Sequence, residues 1–364
     1  MKVLPLHEFH RANAAQFTAV NGCEVVAHYG DALAEHAALR TTAGVLDLSF
    51  RSRLCLTGAD RVRFLHGQVT NNVKDLPPCA GCYAALTTAK GKMQSDLNLY
   101  NLADELLLDF EPGLTAAVSQ RLEKYLVADD VQLIDAAPHY GLLSVQGPQA
   151  AAVIRALGWA GEIPPVPFRF NKISEAALGE IYLMNQPRIG TTGFDVFVPV
   201  TALATVAAQL LTAAAPLGGR AAGWDALEIA RIEAGIPRYG ADMDETNLPL
   251  ECGIENRAVS YQKGCYIGQE VINRVHSFGQ VTRALRGLRL ADGLETLPAR
   301  GEKLFAAGKE VGFVTGAVYS PACQANLALG YVRKETNQLG AELQWQTCSG
   351  PSPAIIVGLP FAAG

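Results

Sequence analysis

The chain has 364 residues, 49% of them hydrophobic and 18% charged, which is long for one core and comfortable for two or three domains. A net charge of −5 argues against a broad nucleic-acid-binding face, which needs a surplus of Lys and Arg, and leaves room only for a local basic groove. No apolar run is expected to reach the length of a membrane span, residues 1–17 lack the basic-then-apolar order of a secretory signal, and eight cysteines imply reduced thiols, so the expectation is a soluble, cytoplasmic protein.

In chain order, Asp31 is a candidate N-cap for a helix over 31–39, with Leu33 and Ala37 on one face and Gly44 beyond its end. Residues 45–49 and the alternating run 51–56 read as strands. Gly58 then turns the chain into a helix carrying Val62, Leu65 and Val69 on one side. The unit recurs: 143–148 is similar to 54–59, and a helix with Val153 and Leu157 follows. Pro148 suits its first turn and Gly158 its stop. Two strand–glycine–helix units imply an internal pseudo-repeat. Neither turn carries a phosphate-loop pattern, so both helix starts are assigned to packing.

Between the units, 94–100 and 106–110 flank the Ala103-Asp104 turn as a hairpin. Pro112 opens a helix striped by Leu114, Val118 and Leu122. Strands are predicted over 131–134, 141–145, 180–185 and 194–200, and helices over 201–215 and 224–234. Beyond Glu270, short strand-like runs over 285–290, 303–306, 310–319, 327–332 and 343–345, split by Gly and Pro, predict a small antiparallel barrel. The boundary falls near Phe278-Gly279.

The densest chemistry lies over 238–270. Asp242, Asp244, Glu245 and Glu251 crowd around Pro249 with no alternation or helical stripe to account for them. Cys265 stands between Gly264 and Gly268, close to Lys263. Glycine lets a backbone come close to something, and a neighbouring cation favours the reactive thiolate. The plain alternatives are a solvated acidic face and a small buried cysteine. Asp96 is the only acid between Asp75 and Asp104, on a strand expected to be half-buried. A buried carboxylate must be hydrogen-bonded or carry a raised pKa; an exposed strand position is the plainer reading. Cys79-Ala80-Gly81-Cys82 follows Pro77-Pro78, reads as a loop and has no second pair. No metal site is expected.

Lys263-Gly264-Cys265-Tyr266-Ile267-Gly268-Gln269-Glu270 resembles the signature of the YgfZ family of folate-binding proteins, and Lys90-Gly91-Lys92-Met93 is similar to the same family. Arg238-Tyr239-Gly240 and Asp244-Glu245-Thr246 are similar to the T-protein of the glycine cleavage system, an aminomethyltransferase. Residues 308–315 with Tyr319-Ser320-Pro321 resemble its C-terminal barrel. The two families share a fold, and the likeness covers nearly the whole chain. It implies an α+β, three-lobed folate-binding fold, with residues 1–275 as two interleaved lobes and 280–360 as a C-terminal antiparallel β-barrel.

The resemblance makes tetrahydrofolate the implied ligand. Tyr83 and Tyr100 would contact its rings, Asp96 would be catalytic beside the pterin, and Arg231 would meet the glutamate tail. Arg231 also reads as a surface helix residue, with Glu228 and Glu233 close by. The T-protein pattern Gly-Gly-x-x-Asp-Asp is altered here: Lys92 enters, and Ser95 stands where the first aspartate is lost. Its pterin-recognising glutamate after Thr-Gly is also displaced, because Phe194 follows Thr192-Gly193 and Asp195 comes one place later. A carboxylate suits the pterin's donors, yet strand neighbours point to opposite faces.

Cys265 is implied to be a reactive thiol at the cavity rim, in a loop made of Lys263, Gly264, Tyr266, Gly268, Gln269 and Glu270. A helix starting over 269–275 would add its dipole. The implied function is folate binding that supports iron–sulfur enzymes and, indirectly, tRNA modification. The alternatives are aminomethyl transfer with Asp96 catalytic, and a scaffold acting through protein contacts. Folate and iron–sulfur proteins are the expected partners, with no direct nucleic acid and no membrane.

Overall fold

Two glycines turn strands into helices and fix the plan of the first half. In the computed structural model, which describes residues 1–279, 281–348 and 350–361, Gly58 (φ +98°) and Gly147 (φ +125°) both have positive φ. Gly58 joins Ser52–Thr57 to the helix Arg61–Gln68, and Gly147 joins Tyr140–Gln146 to the helix Ala150–Ala156. A Cβ on Gly58 would come within 2.1 Å of the Asp130 carbonyl oxygen, and one on Gly147 within 2.6 Å of that of Thr42. Only glycine fits either position. The pseudo-repeat is therefore structural, and each copy feeds its own sheet. One sheet has five strands in the order Ala80–Thr87, Met93–Asn101, Leu106–Phe110, Ser52–Thr57, Gln132–Asp135. The other has six, in the order Phe170–Glu175, Gly179–Asn185, Gly193–Pro199, Tyr140–Gln146, Gly44–Asp47, Arg220–Ala221. This six-stranded sheet is antiparallel except at its last pair.

The chain divides into two compact units: Met1–Ala84 with Asp96–Ala230, and Ala85–Ser95 with Arg231–Gly364. In the first, the Asp31 carboxylate accepts from Leu33 and Ala34 N–H at 3.0 Å and starts the helix Ala32–Thr41 as expected. One core cluster centres on Leu39, Leu46, Tyr100, Leu142 and Phe197; a second contains Val145, Val196 and the inner face of the helix Leu203–Ala214. That helix corrects one expectation. With its flanking turns, Val200–Leu217 is long and apolar enough by length and composition to cross a membrane. Here Leu203, Val206, Leu210 and Ala214 pack into the core, as a buried helix of a folded domain does.

The second unit contains the tip of the Ala80–Thr87/Met93–Asn101 hairpin, the acidic loop, the helix Gln269–Phe278 and a closed six-stranded barrel. Around the barrel the order is Arg283–Leu290, Ala325–Arg333, Lys309–Ser320, Lys303–Ala306, Glu342–Thr347, Gly350–Val357. Leu288, Leu304, Val314, Ala328, Val332 and Trp345 fill its interior. The sixth strand was not predicted. Pro351 and Pro353 break its strand-like texture, although Ser352, Ala354 and Ile356 alternate inward. Sequence reading also missed the helix His7–Ala12 and the strands Gln16–Val20 and Cys23–His28 on either side of the Asn21-Gly22 turn. Cys82, expected in a loop, lies in the strand Ala80–Thr87.

Candidate functional site

In the first unit, strand geometry brings Tyr83 and Asp96 together. Along Met93–Asn101, Ser95 and Leu97 are buried and Asp96 points to the half-buried face. The Tyr83 hydroxyl donates to Asp96 Oδ2 at 2.8 Å. Burial, and then the nearby Glu111 carboxylate, push the Asp96 carboxyl from 3.8 up to about 6, against the pull of the Tyr83 hydroxyl and Arg51. A carboxyl there titrates close to neutrality, which is what proton transfer requires.

Next to this pair runs a buried ionic network that sequence reading did not anticipate. Arg51 donates from Nε to Asp109 at 2.7 Å and from Nη1 to Glu111 at 2.6 Å. Arg188 donates to Asp109 at 2.8 Å and, from Nε, to both Asp195 oxygens at 3.0 Å. Burial alone would raise Asp109, yet Arg51 and Arg188 hold it well below the usual carboxylate range. The signal was available: Asp109 is the one charge in the otherwise apolar strand Leu106–Phe110, and a buried charge needs a partner.

The same network takes in two of the residues expected to contact the ligand. Asp195 is fully buried, with its oxygens committed to Arg188 and to the Ser144 hydroxyl at 2.8 Å. Tyr100 is 0% exposed. Its hydroxyl donates to Gln186 at 3.0 Å, and its ring packs edge-on to Phe170 with centroids 6.0 Å apart. Both are enclosed by neighbouring side chains; Tyr100 shares the strand face of Asp96 but lies further along, where the whole strand is buried. Of these four side chains, Tyr83 and Asp96 alone are partly exposed.

In the second unit, Arg231 is not the surface residue its acidic neighbours implied. It is 5% exposed, and its Nη1 donates to Asp242 at 2.8 Å and to the Ile236 carbonyl at 3.1 Å. Asp242 also accepts from the Arg238 N–H at 3.1 Å and from the Thr315 hydroxyl. Arg231 thereby ties the end of its helix to the acidic loop and the barrel. The acidic cluster is largely spent in this way. Asp244 accepts from Thr246 N–H at 2.9 Å, and Glu251 from Leu248 N–H at 2.9 Å; Glu245 is exposed.

The loop around Cys265 is clamped by the hairpin tip. The Thr87 hydroxyl donates to the Ile267 carbonyl at 2.7 Å. Gly268 has φ +92°, and a Cβ there would meet the Thr88 carbonyl oxygen at 2.6 Å. Gly268 leads directly into the helix Gln269–Phe278, where a helix start was expected. Within the loop Cys265 is exposed. Lys263 and Tyr266 are buried, and the Lys263 ammonium lies 5.0 Å from the centre of the Tyr266 ring. Gln269 is half-buried and Glu270 exposed at the helix start. Packing of 90–93 and 263–270 within one unit explains why the two sequence signatures occur together.

This architecture, sheets followed by a closed antiparallel barrel, defines the T-protein-like folds. A family model described as the GCVT N-terminal domain matches residues 6–263, and one described as the glycine cleavage T-protein C-terminal barrel domain matches 283–362. The chain belongs to the glycine cleavage T-protein family. It is 29% identical to an aminomethyltransferase of Geobacillus thermodenitrificans over 364 residues, covering 99% of this chain and 98% of the relative. An aminomethyltransferase of Thermosynechococcus vestitus is also 29% identical, over 98% of this chain and 94% of its own. The crystal structure of glycine cleavage system aminomethyltransferase T from Bartonella henselae superposes with a TM-score of 0.90 at 25% identity, covering 100% of this chain and 98% of that one.

Proposed function

We propose that the protein binds tetrahydrofolate and transfers a one-carbon unit to it, with Asp96 handling the proton. The observation that carries this is the Tyr83–Asp96 pair, a carboxyl held near pH 6 by burial and Glu111. Tetrahydrofolate would supply the ring nitrogen that carries the one-carbon unit. Asp96 would take up or return the proton at that nitrogen, and the Tyr83 hydroxyl on Oδ2 fixes the carboxyl's orientation. The ion pairs of Arg51 with Asp109 and Glu111 hold the strand beneath it in register. The names of the curated relatives support aminomethyl as the unit transferred.

A second reading, a YgfZ-type protein that binds folate and serves iron–sulfur enzymes and, indirectly, tRNA modification, is favoured by one observation: Cys265 is exposed in a loop that the hairpin tip holds in place. Eight free cysteines suit a reducing, cytoplasmic setting for either reading. The experiment is a calorimetric titration with tetrahydrofolate beside a turnover assay with aminomethylated lipoyl carrier protein. Turnover lost in Asp96→Asn supports the first reading. Tight binding with no turnover, and a cellular defect in Cys265→Ser, supports the second. No binding at all defeats both and leaves a scaffold acting through protein contacts.

A further inference from the structure

Lys92 occupies the hairpin tip where the T-protein pattern has glycine, and one-carbon transfer gives it no task. The tip fixes its backbone: Thr88 N–H donates to the Lys92 carbonyl at 2.8 Å, and Met93 N–H to the Asn247 carbonyl at 2.9 Å. Lys92 Nζ donates to the Thr246 carbonyl at 2.7 Å. So placed, it lines a cavity of about 680 Å³ with Arg283, Lys303, Phe313, Tyr331 and Arg333.

The cations there are poorly matched by acids. Lys92 and Arg283 share the buried Glu251 at 4.0 and 3.7 Å, too far for hydrogen bonds, and Glu251 is already bonded to Leu248 N–H. Arg283 commits Nη2 to Thr246 and lies 5.0 Å over the Tyr331 ring, which leaves Nη1 without a hydrogen bond. Lys303 pairs with Glu310 at 2.9 Å, but both side chains are about half exposed, and such a pair is worth little. Glu335 also lines the cavity, yet Arg333 forms no ion pair among the described residues. Arg283 and Arg333 are also direct partners across two antiparallel strands, where like charges destabilise. The unliganded protein therefore carries a repulsion that an anion between the two guanidiniums would remove.

We propose that this cavity binds a small organic polyanion, whose phosphate or clustered carboxylates sit between Lys92, Arg283 and Arg333. Its volume is that of a pocket for an organic molecule rather than for a bare ion. None of its residues belongs to the Tyr83–Asp96 pair, so the proposal stands or falls apart from one-carbon transfer.

The test is calorimetric titration of the full chain with citrate and, separately, with pyrophosphate, at about 50 mM salt. Saturable binding of at least one probe, weakened about tenfold in both Arg333→Gln and Lys92→Gln and weakened further by salt, is the expected result. The probe that binds identifies the anionic group. Arg333→Gln should also raise the melting temperature of the unliganded protein, since it removes one of two facing charges, and a fall would count against the repulsion. Absence of saturable binding for both probes up to about 5 mM, or binding that both variants leave intact, overturns the proposal.

Discussion

Replacing Asp96 by Asn isolates the charge of one carboxyl while keeping its shape and its ability to accept from Tyr83. In the folded protein this carboxyl is raised from 3.8 to about 6. A group raised on folding stabilises the fold fully below its unfolded value and loses that contribution as pH rises through its folded value. Wild-type stability, measured against Asp96→Asn, should therefore decline between about pH 4 and pH 6 and then level off. A shift of roughly two units corresponds to about 3 kcal/mol. Partial exposure of the side chain screens it, so a decline of about 1–3 kcal/mol is expected. Urea unfolding of both proteins at several pH values from about 4.5 to 7.5 measures it. The wild-type kcat/KM for one-carbon transfer should break near pH 6, a break the variant cannot show. A wild-type/variant difference that stays flat with pH, or that grows as pH rises, refutes the account of Asp96.

Other outcomes follow from the second unit. Asp242→Asn removes the carboxylate that neutralises buried Arg231 and should cost about 3–5 kcal/mol in chemical denaturation; a loss under about 1 kcal/mol would mean the guanidinium finds another acceptor. Gly268→Ala imposes a Cβ at positive φ against the Thr88 carbonyl and should cost about 1–3 kcal/mol; unchanged stability would show that the hairpin tip does not hold the Cys265 loop. Brief iodoacetamide treatment of the folded protein should label Cys265 well before buried Cys23, Cys55 and Cys252, and peptide mapping decides this. Cys265→Ser should shift the melting temperature by no more than about 2 °C, because the thiol is exposed.

Legibility of the fold followed the period of each segment. Helices with an apolar stripe and a polar cap, such as Ala32–Thr41 after Asp31, could be placed within a few residues. The strand–glycine–helix units could be matched to each other because their glycines are sterically compelled. Segments whose signal depends on a distant partner were missed. Gly350–Val357 has prolines at two of its outward positions, and closure of the barrel makes it a strand. The strand Gln16–Val20 carries only a weak alternation, and its pairing with Cys23–His28 defines it.

The candidate site was legible in the same uneven way, for a reason that bears on its chemistry. Tyr83 and Asp96 meet across the Ala80–Thr87/Met93–Asn101 hairpin, whose first strand was not predicted, so the family resemblance and not the strand pattern linked them. Which carboxylates are free to act is a different matter, because it depends on where the arginines go. Asp195 looked available until Arg188 closed on it from seven residues away. Arg231 looked available until Asp242 did the same. At Asp96 the Tyr83 hydroxyl lies 2.8 Å from Oδ2. At Asp109, Arg51 and Arg188 together hold the carboxylate ionised and useless as an acid at neutral pH, whereas at Asp195 burial outweighs the single Arg188, and Arg188 and Ser144 occupy its oxygens. The burial that raises Asp96, with Arg51 turned instead toward Asp109 and Glu111, is thus the condition for proton transfer. Arg51→Gln should disturb that transfer indirectly, by releasing Glu111 to press its full charge on Asp96. A carbon-13 titration of the Asp96 carboxyl should then find it titrating at higher pH than in the wild type, and a lower value would break the argument.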